Sequence, residues 1–417
     1  MARPPGLIEV CGGLRQHLGP GRIELRDDGT GVTKSVRLLF HVVWDEHQKG
    51  GKMAEYVRLL NNDEVASLVD IASCFEPLET AFRDLGHGDA ASVRRHDILS
   101  GVPSLNAINS FKSMSGVVPS LDAACLRVDS DLLRMPGPGG GSRREKLTKS
   151  QEESVRIGKE NGLLMLYQIS TGELLAILTD GEVQRLRVGV TSALAAKYLA
   201  NPNCRKVGFL GTGYQAETQF QALALVLPEL TAKVFSPNMD HRQEFVAKMS
   251  RVTGCNVEAV SSAEEAADSA EIIVSATNSL HPTINPEWIR PGMHINCIKK
   301  QEVDLEVLAK CDLLVVGSTG DTVHVIVGDL RNRKLDETAS GWWKDPDHAW
   351  ERFPFLADVV AGKHAGRILP DQVTCYIGHG TGIQFAAIAM LAYRRAVENE
   401  IGYLIPSARF MQPILQR

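Results

Sequence analysis

Short apolar runs recur through the second half of the chain, each followed by a stretch of helical periodicity. Residues 207–210, 233–235, 257–260, 272–275, 295–298 and 313–316 read as strands; 217–227, 240–251 and 263–270 between them read as helices. Nearly continuous apolar strands alternating with helices predict a parallel sheet covered on both faces. Upstream, Val65, Leu68, Val69, Ile71, Leu78 and Phe82 give a helical stripe over 63–85, introduced by the capping cluster Asn61-Asn62-Asp63. Strand-like segments follow at 110–113, 124–128, 163–168 and 174–178, then a helix at 192–199 and a closing helix over about 383–398.

The first strand of the parallel series ends in a glycine turn. The chain reads KVGFLGTGYQAETQF from Lys206 to Phe220. Gly211 permits the tight turn, Gly213 lets backbone approach a pyrophosphate, and Ala216 suits close helix–strand packing. Thr212, Tyr214 and Gln215 complete a helix start whose free N–H groups face an anion. This GxGxxA turn, after the first strand, predicts a bound dinucleotide. Ala276 and Thr277, just after the strand at 272–275, are expected to line the same crevice. At the end of the second strand stands Ser236, where NAD-specific domains carry a carboxylate, with Asn238 and Arg242 beyond it. Without the anionic residue a 2′-phosphate is not repelled, and Arg242 offers it a cation, which favours NADP over NAD.

At 417 residues the chain accommodates two domains with full cores. A net charge of −5 gives no reason to expect nucleic acid or a membrane surface as partner. No apolar run has the length of a membrane span, and the eight cysteines are scattered without a CxxC pair, which suits reduced thiols in the cytoplasm. No histidine cluster predicts a metal. Residues 1–52 are Gly- and Pro-rich and weakly periodic; they read as an upstream extension before a start at Met53, or as an appendage with a hairpin at 32–44. The polar stretch from Met135 to Ser154 reads as a surface loop or a flap. The expected organisation is an α/β chain, with a Rossmann-type dinucleotide-binding domain over 191–328 inserted into a split α+β domain (53–190 and 329–417). That second domain would serve substrate binding and dimerisation.

From Thr171 to Gln219 four elements occur in order: a TG turn, the Arg-led segment RVGV, an SA pair opening a helix, and GTGYQA. Together they resemble the ornithine cyclodeaminase/μ-crystallin family, over about residues 57–406. The resemblance implies two domains, a homodimer, and action on amino acids or their imino and keto relatives with NAD or NADP. Arg187 matches the arginine that binds a substrate carboxylate, a role suited to a planar bidentate donor. Val188 replaces the threonine that follows it in the family. Arg94 or Arg95 matches a second arginine near that carboxylate. Arg127 stands where the family commonly carries a lysine; because arginine stays protonated, Lys112 becomes the candidate for proton transfer.

The family's cyclodeaminases carry an aspartate in a glycine-containing loop after HIN-like strand residues. This chain instead reads INCIKKQEVDLEVL, with Glu302 and Asp304 as the carboxylates at hand. The resulting expectation is an NAD(P)H-dependent oxidoreductase interconverting a 2-imino (ketimine) acid and an amino acid by hydride transfer. Alternatives are ornithine cyclodeaminase itself and a non-catalytic, NADP-binding crystallin-like protein.

Overall fold

The computed structural model describes residues 54–134, 162–227, 229–279, 281–318, 322–328 and 350–412. The extension 1–52, where a hairpin is expected at 32–44, and the polar stretch 135–154 lie outside them.

The chain enters through β1 (Tyr56–Leu60) and α1 (Asn62–Leu68). Asn61 caps α1 in a reciprocal box: its Oδ1 accepts the Glu64 amide at 3.0 Å while Glu64 accepts the Asn61 amide at 2.8 Å. The expected single helix over 63–85 is broken. The Asp70 carboxylate accepts the Ser73 amide at 2.7 Å, a local bond that competes with the helical ladder, and α2 (Phe75–His87) starts afresh. There follow β2 (Ala91–Ser92), β3 (His96–Val102), β4 (Ala107–Val118), β5 (Ala123–Arg134), β6 (Leu163–Gln168) and β7 (Leu174–Thr179). α3 (Gly181–Leu199) then leads into the second half of the fold.

That half contains β8 (Lys206–Leu210), α4 (Tyr214–Val226), β9 (Thr231–Phe235), α5 (Met239–Thr253), β10 (Asn256–Ala259), α6 (Ala263–Ala267), β11 (Ile272–Ser275) and β12 (His294–Cys297). α7 (Leu305–Leu308), β13 (Leu313–Val316), β14 (Val323–Val327), α8 (Leu356–Val360), β15 (Thr374–Ile377), α9 (Gly382–Glu398) and β16 (Tyr403–Pro406) complete the chain. One sheet is mixed, in the order β14-β3-β4-β5-β6-β7-β1-β16 with β2 beside β4; the other is parallel, in the order β10-β9-β8-β11-β12-β15-β13. The architecture is α/β, with a doubly wound parallel sheet beside a mixed one.

Two strands depart from the expected division at residue 328. β14, placed by its position in the nucleotide domain, pairs with β3 of the mixed sheet. β15, from the C-terminal part, enters the parallel sheet between β12 and β13. Its four residues TCYI are all buried, so no alternation in the sequence reveals which sheet takes it.

The helix expected at 192–199 begins eleven residues earlier, at Gly181. α3 is buried on nearly every side and so has no polar stripe to mark its start. Gly189 lets α4 lie against it: a Cβ there would sit 2.5 Å from Thr218 Cγ2. α9 meets the mixed sheet just as closely, since a Cβ on Gly116 would come within 2.2 Å of the Gly382 backbone. The start of α9 is thereby pinned to the C-terminal end of β4.

Candidate active site

In the parallel sheet β8 lies between β9 and β11, where the strand order reverses direction. Ligands of doubly wound sheets bind at the carboxyl ends of the strands at this switch point. The glycine turn occupies that position. Gly211 has φ +108°, and a Cβ on it would sit 2.3 Å from the Ala276 carbonyl oxygen. Gly213, the N-cap of α4, has no such constraint: a Cβ there would meet open space, and no side chain caps the helix. A small residue that the protein's own packing does not require fits a cradle for a phosphate group. Ala216 is fully buried beneath the turn. The Tyr214 hydroxyl donates to Glu182 at 3.1 Å, tying α4 to α3, and Thr277 and Ala276 line the far side of the crevice beyond β11.

Glu302 braces that far side. Fully buried, it accepts the Thr277 amide at 2.7 Å and hydroxyl at 2.8 Å, and the Ile298 and Lys299 amides at 3.0 and 3.3 Å. Burial pushes its pKa up to about 7, against the pull of Lys299 and of these donors. Asp304 caps α7, accepting the Val307 amide at 3.0 Å. Neither carboxylate thus stands free, as a cyclodeaminase acid would have to.

The expected cations come together on the inner face of the mixed sheet. Alternate residues of β4 and β5 face inward, so Lys112 lies opposite Asp129, with Arg127 next along β5. Arg127 Nε donates to Asp180 at 2.7 Å and its Nη2 to Asp129 at 3.1 Å. Lys112 Nζ donates to Asp129 at 3.0 Å and pairs with Asp131 as well. Arg95 forks onto Asp97, the β3 neighbour of Lys112, at 2.6 and 2.5 Å.

Arg187, on α3, differs from these. Its Nε donates to Gln184 at 3.2 Å, and it pairs with no carboxylate among the described residues. Its guanidinium packs against Gly380, where a Cβ would lie 3.1 Å from Nη1. Burial first, then the Arg127 charge, pushes its pKa down to about 9, which leaves it cationic at neutral pH. Gly380 belongs to the turn between β15 and α9, at the same carboxyl edge as the glycine turn.

The adjacent arginines at 94 and 95 point to different surroundings. Arg94 reaches outward to Glu351 at 2.9 Å, both side chains about half exposed, whereas Arg95 lies near enough to bear on the Arg187 charge. Lys112 is an ion-paired cation rather than the isolated buried amine that proton donation supposes. Arg242 turns inward: it donates to the Val260 carbonyl and packs 5.3 Å from the Phe235 ring centroid, leaving no outward fork for a 2′-phosphate. Asn238 caps α5, its Oδ1 accepting the His241 amide at 3.0 Å, and Ser236 is half-buried at the end of β9.

Sequence reading missed Asp129, Asp131 and Asp180 as partners of the cations, and Phe385. The i, i+2 spacing of Arg127, Asp129 and Asp131 was the available signal, since it places all three on one face of a strand. Phe385 gave none. Among the described residues no group of His, Cys, Asp and Glu is arranged to hold a metal, and no helix is long and apolar enough to cross a membrane.

Comparison with known proteins is consistent with this geometry. The model of the ornithine cyclodeaminase/mu-crystallin family matches residues 109–400. Alanine dehydrogenase of Archaeoglobus fulgidus is 30% identical over 248 residues, 58% of this chain and 72% of that one. Among solved structures, Thermococcus litoralis Δ1-pyrroline-2-carboxylate reductase in complex with NADH and L-proline superposes with a TM-score of 0.66 at 26% identity, over 83% of this chain and 99% of that one. An archaeal alanine dehydrogenase dimer with bound NAD gives a TM-score of 0.66 at 25% identity, over 84% and 99% of the two chains.

Proposed function

The chain belongs to the ornithine cyclodeaminase/mu-crystallin family, and from that premise we propose that it is a nicotinamide-dependent oxidoreductase interconverting a 2-imino acid and the corresponding amino acid. The observation that carries this reading is Arg187, a guanidinium without a carboxylate partner among the described residues, at the edge of the nucleotide crevice. A planar fork of this kind suits a substrate carboxylate. Arg127 and Arg95, each already neutralised by aspartates, line the wall beside it and leave its charge uncompensated. The bound nucleotide would supply the hydride; the residues of this chain hold the acid so that its α-carbon faces the crevice. A protonated imine needs only that hydride to become the amine, so the ion-paired Lys112 serves as a scaffold cation.

The reductive reading is preferred to cyclodeamination because Glu302 and Asp304 are both engaged in bracing and capping. The inward turn of Arg242 favours NAD over NADP. Homodimerisation is supported by three part-exposed apolar residues in register on adjacent strands of the outer face, Val325, Ile98 and Phe111, a row that a second copy would cover.

The test is NADH consumption by the purified chain with Δ1-pyrroline-2-carboxylate and with linear 2-oxo acids plus ammonia. Turnover of at least one imino acid, faster with NADH than with NADPH, is expected. Tight nucleotide binding without turnover across the panel would overturn the reading.

A further inference from the structure

Phe385 is fully buried near the start of α9, two residues beyond the Gly382–Ile383 contact with β4. The Arg127 guanidinium carbon, from β5, lies 5.2 Å from its ring centroid, and the Arg187 guanidinium carbon, from α3, also lies 5.2 Å from it. One ring therefore contacts two cations from two different elements. Like charges repel, and Arg127 has Asp129 and Asp180 to hold it, whereas among the described residues Arg187 has only the Gln184 amide oxygen on Nε. The other groups packed against Arg187 among the described residues, the Phe385 ring and Gly380, carry no charge. An aromatic face attracts a guanidinium without occupying its N–H groups, so both Nη groups stay available for a ligand. A carboxylate at position 385 would instead occupy that fork and neutralise it.

We propose that Phe385 is a positioning residue: its ring orients Arg187 beside Arg127 with the guanidinium fork vacant, and so sets the affinity of the site for the substrate carboxylate. This rests on the reading of Arg187 as the carboxylate anchor. It assigns to an apolar side chain, out of contact with substrate, control over binding rather than over the hydride step.

The test compares Phe385→Met, which keeps apolar bulk without a ring, with Phe385→Tyr, which keeps the ring. The first readout is calorimetric binding of pyrrole-2-carboxylate, a planar carboxylate without a reducible imine bond, to the NADH-loaded protein. The second is KM against kcat for the imino acid that the wild type reduces. Phe385→Met is expected to weaken carboxylate binding and raise KM about tenfold, with kcat within about threefold and NADH affinity unchanged. Phe385→Tyr should restore most of the loss. If Phe385→Met melts below assay temperature, Phe385→Leu supplies the ringless arm. Equal carboxylate affinity in wild type and the ringless variant, or equal losses in the Tyr and Met variants, would overturn the proposal. A wild type that binds no pyrrole-2-carboxylate would instead overturn the carboxylate-anchor reading on which it rests.

Discussion

Asp180 and Arg127 join the two parts of the site: the carboxylate at the N-cap of α3 accepts the Arg127 Nε of β5 at 2.7 Å, with both side chains buried. The same helix carries Arg187 about two turns further on, so this pair fixes the helix start against the sheet. Removing one partner of a buried pair strands the other charge, which commonly costs about 3–5 kcal/mol. Asp180→Ala is expected to lower unfolding free energy by at least ~2 kcal/mol, since Asp129 still holds Arg127. Denaturant titration measures it, and a loss below ~0.5 kcal/mol would show that Asp129 alone suffices.

Arg187→Lys keeps a positive charge but loses the planar fork. An ammonium reaching for the same carboxylate makes a single, differently placed bond. We expect kcat/KM for the imino acid to fall about 100-fold, with NADH binding unchanged. Steady-state kinetics paired with fluorescence titration of NADH separates the two quantities, and a fall in nucleotide affinity would move Arg187 out of the substrate half of the site.

The two glycines of the turn predict opposite phenotypes. Gly211→Ala places a Cβ on a residue at φ +108° and against the Ala276 carbonyl, so loss of more than ~2 kcal/mol of stability is expected. Gly213→Ala meets no protein atom, so the variant should fold with less than ~1 kcal/mol lost. Its NADH affinity should nonetheless drop at least about tenfold, because the methyl enters the phosphate cradle. Thermal melts and calorimetry on the two variants check this; undiminished NADH binding by Gly213→Ala would place the pyrophosphate elsewhere.

Glu302 gives a pH dependence of definite sign. Its ordinary pKa of 4.5 is raised to about 7 in the folded protein. Between those values the folded chain keeps a proton that the unfolded chain has released, so this group's contribution to stability falls as pH rises through that window. The full effect amounts to ~3 kcal/mol, reached near neutrality. Glu302→Gln, which cannot ionise, should lose that component, and the difference in unfolding free energy between wild type and variant should change across the window. Parallel pH profiles of the two proteins would show that the four donors keep Glu302 ionised throughout.

How far the sequence reached depended on how local the physics was. The glycine turn, the strands at 272–275 and 313–316, and the Asn61 cap all follow from residues adjacent in the chain, and each is found where the pattern puts it. Arg187 was legible as a site candidate from its linked motif. The start of α3 was not, because a helix buried on nearly every side carries no amphipathic stripe. Nor was the sheet that receives β15, since a strand buried at all four positions shows no alternation to mark its place.

What the sequence by itself determined was the chemistry available: a glycine turn at the end of the first parallel strand, a group of arginines, and two carboxylates, Glu302 and Asp304, in place of a glycine-loop aspartate after β12. What the tertiary structure alone decided was which of those groups are already satisfied. Asp129 and Asp180 hold Arg127, Asp129 and Asp131 hold Lys112, the Val260 carbonyl takes Arg242, and Arg187 is left facing Phe385 and Gly380. The i, i+2 spacing on a strand puts Arg127 and Asp129 on one face, but the pairs that Lys112 makes across strands and Arg127 makes to α3 depend on tertiary distances that no periodicity along a chain encodes.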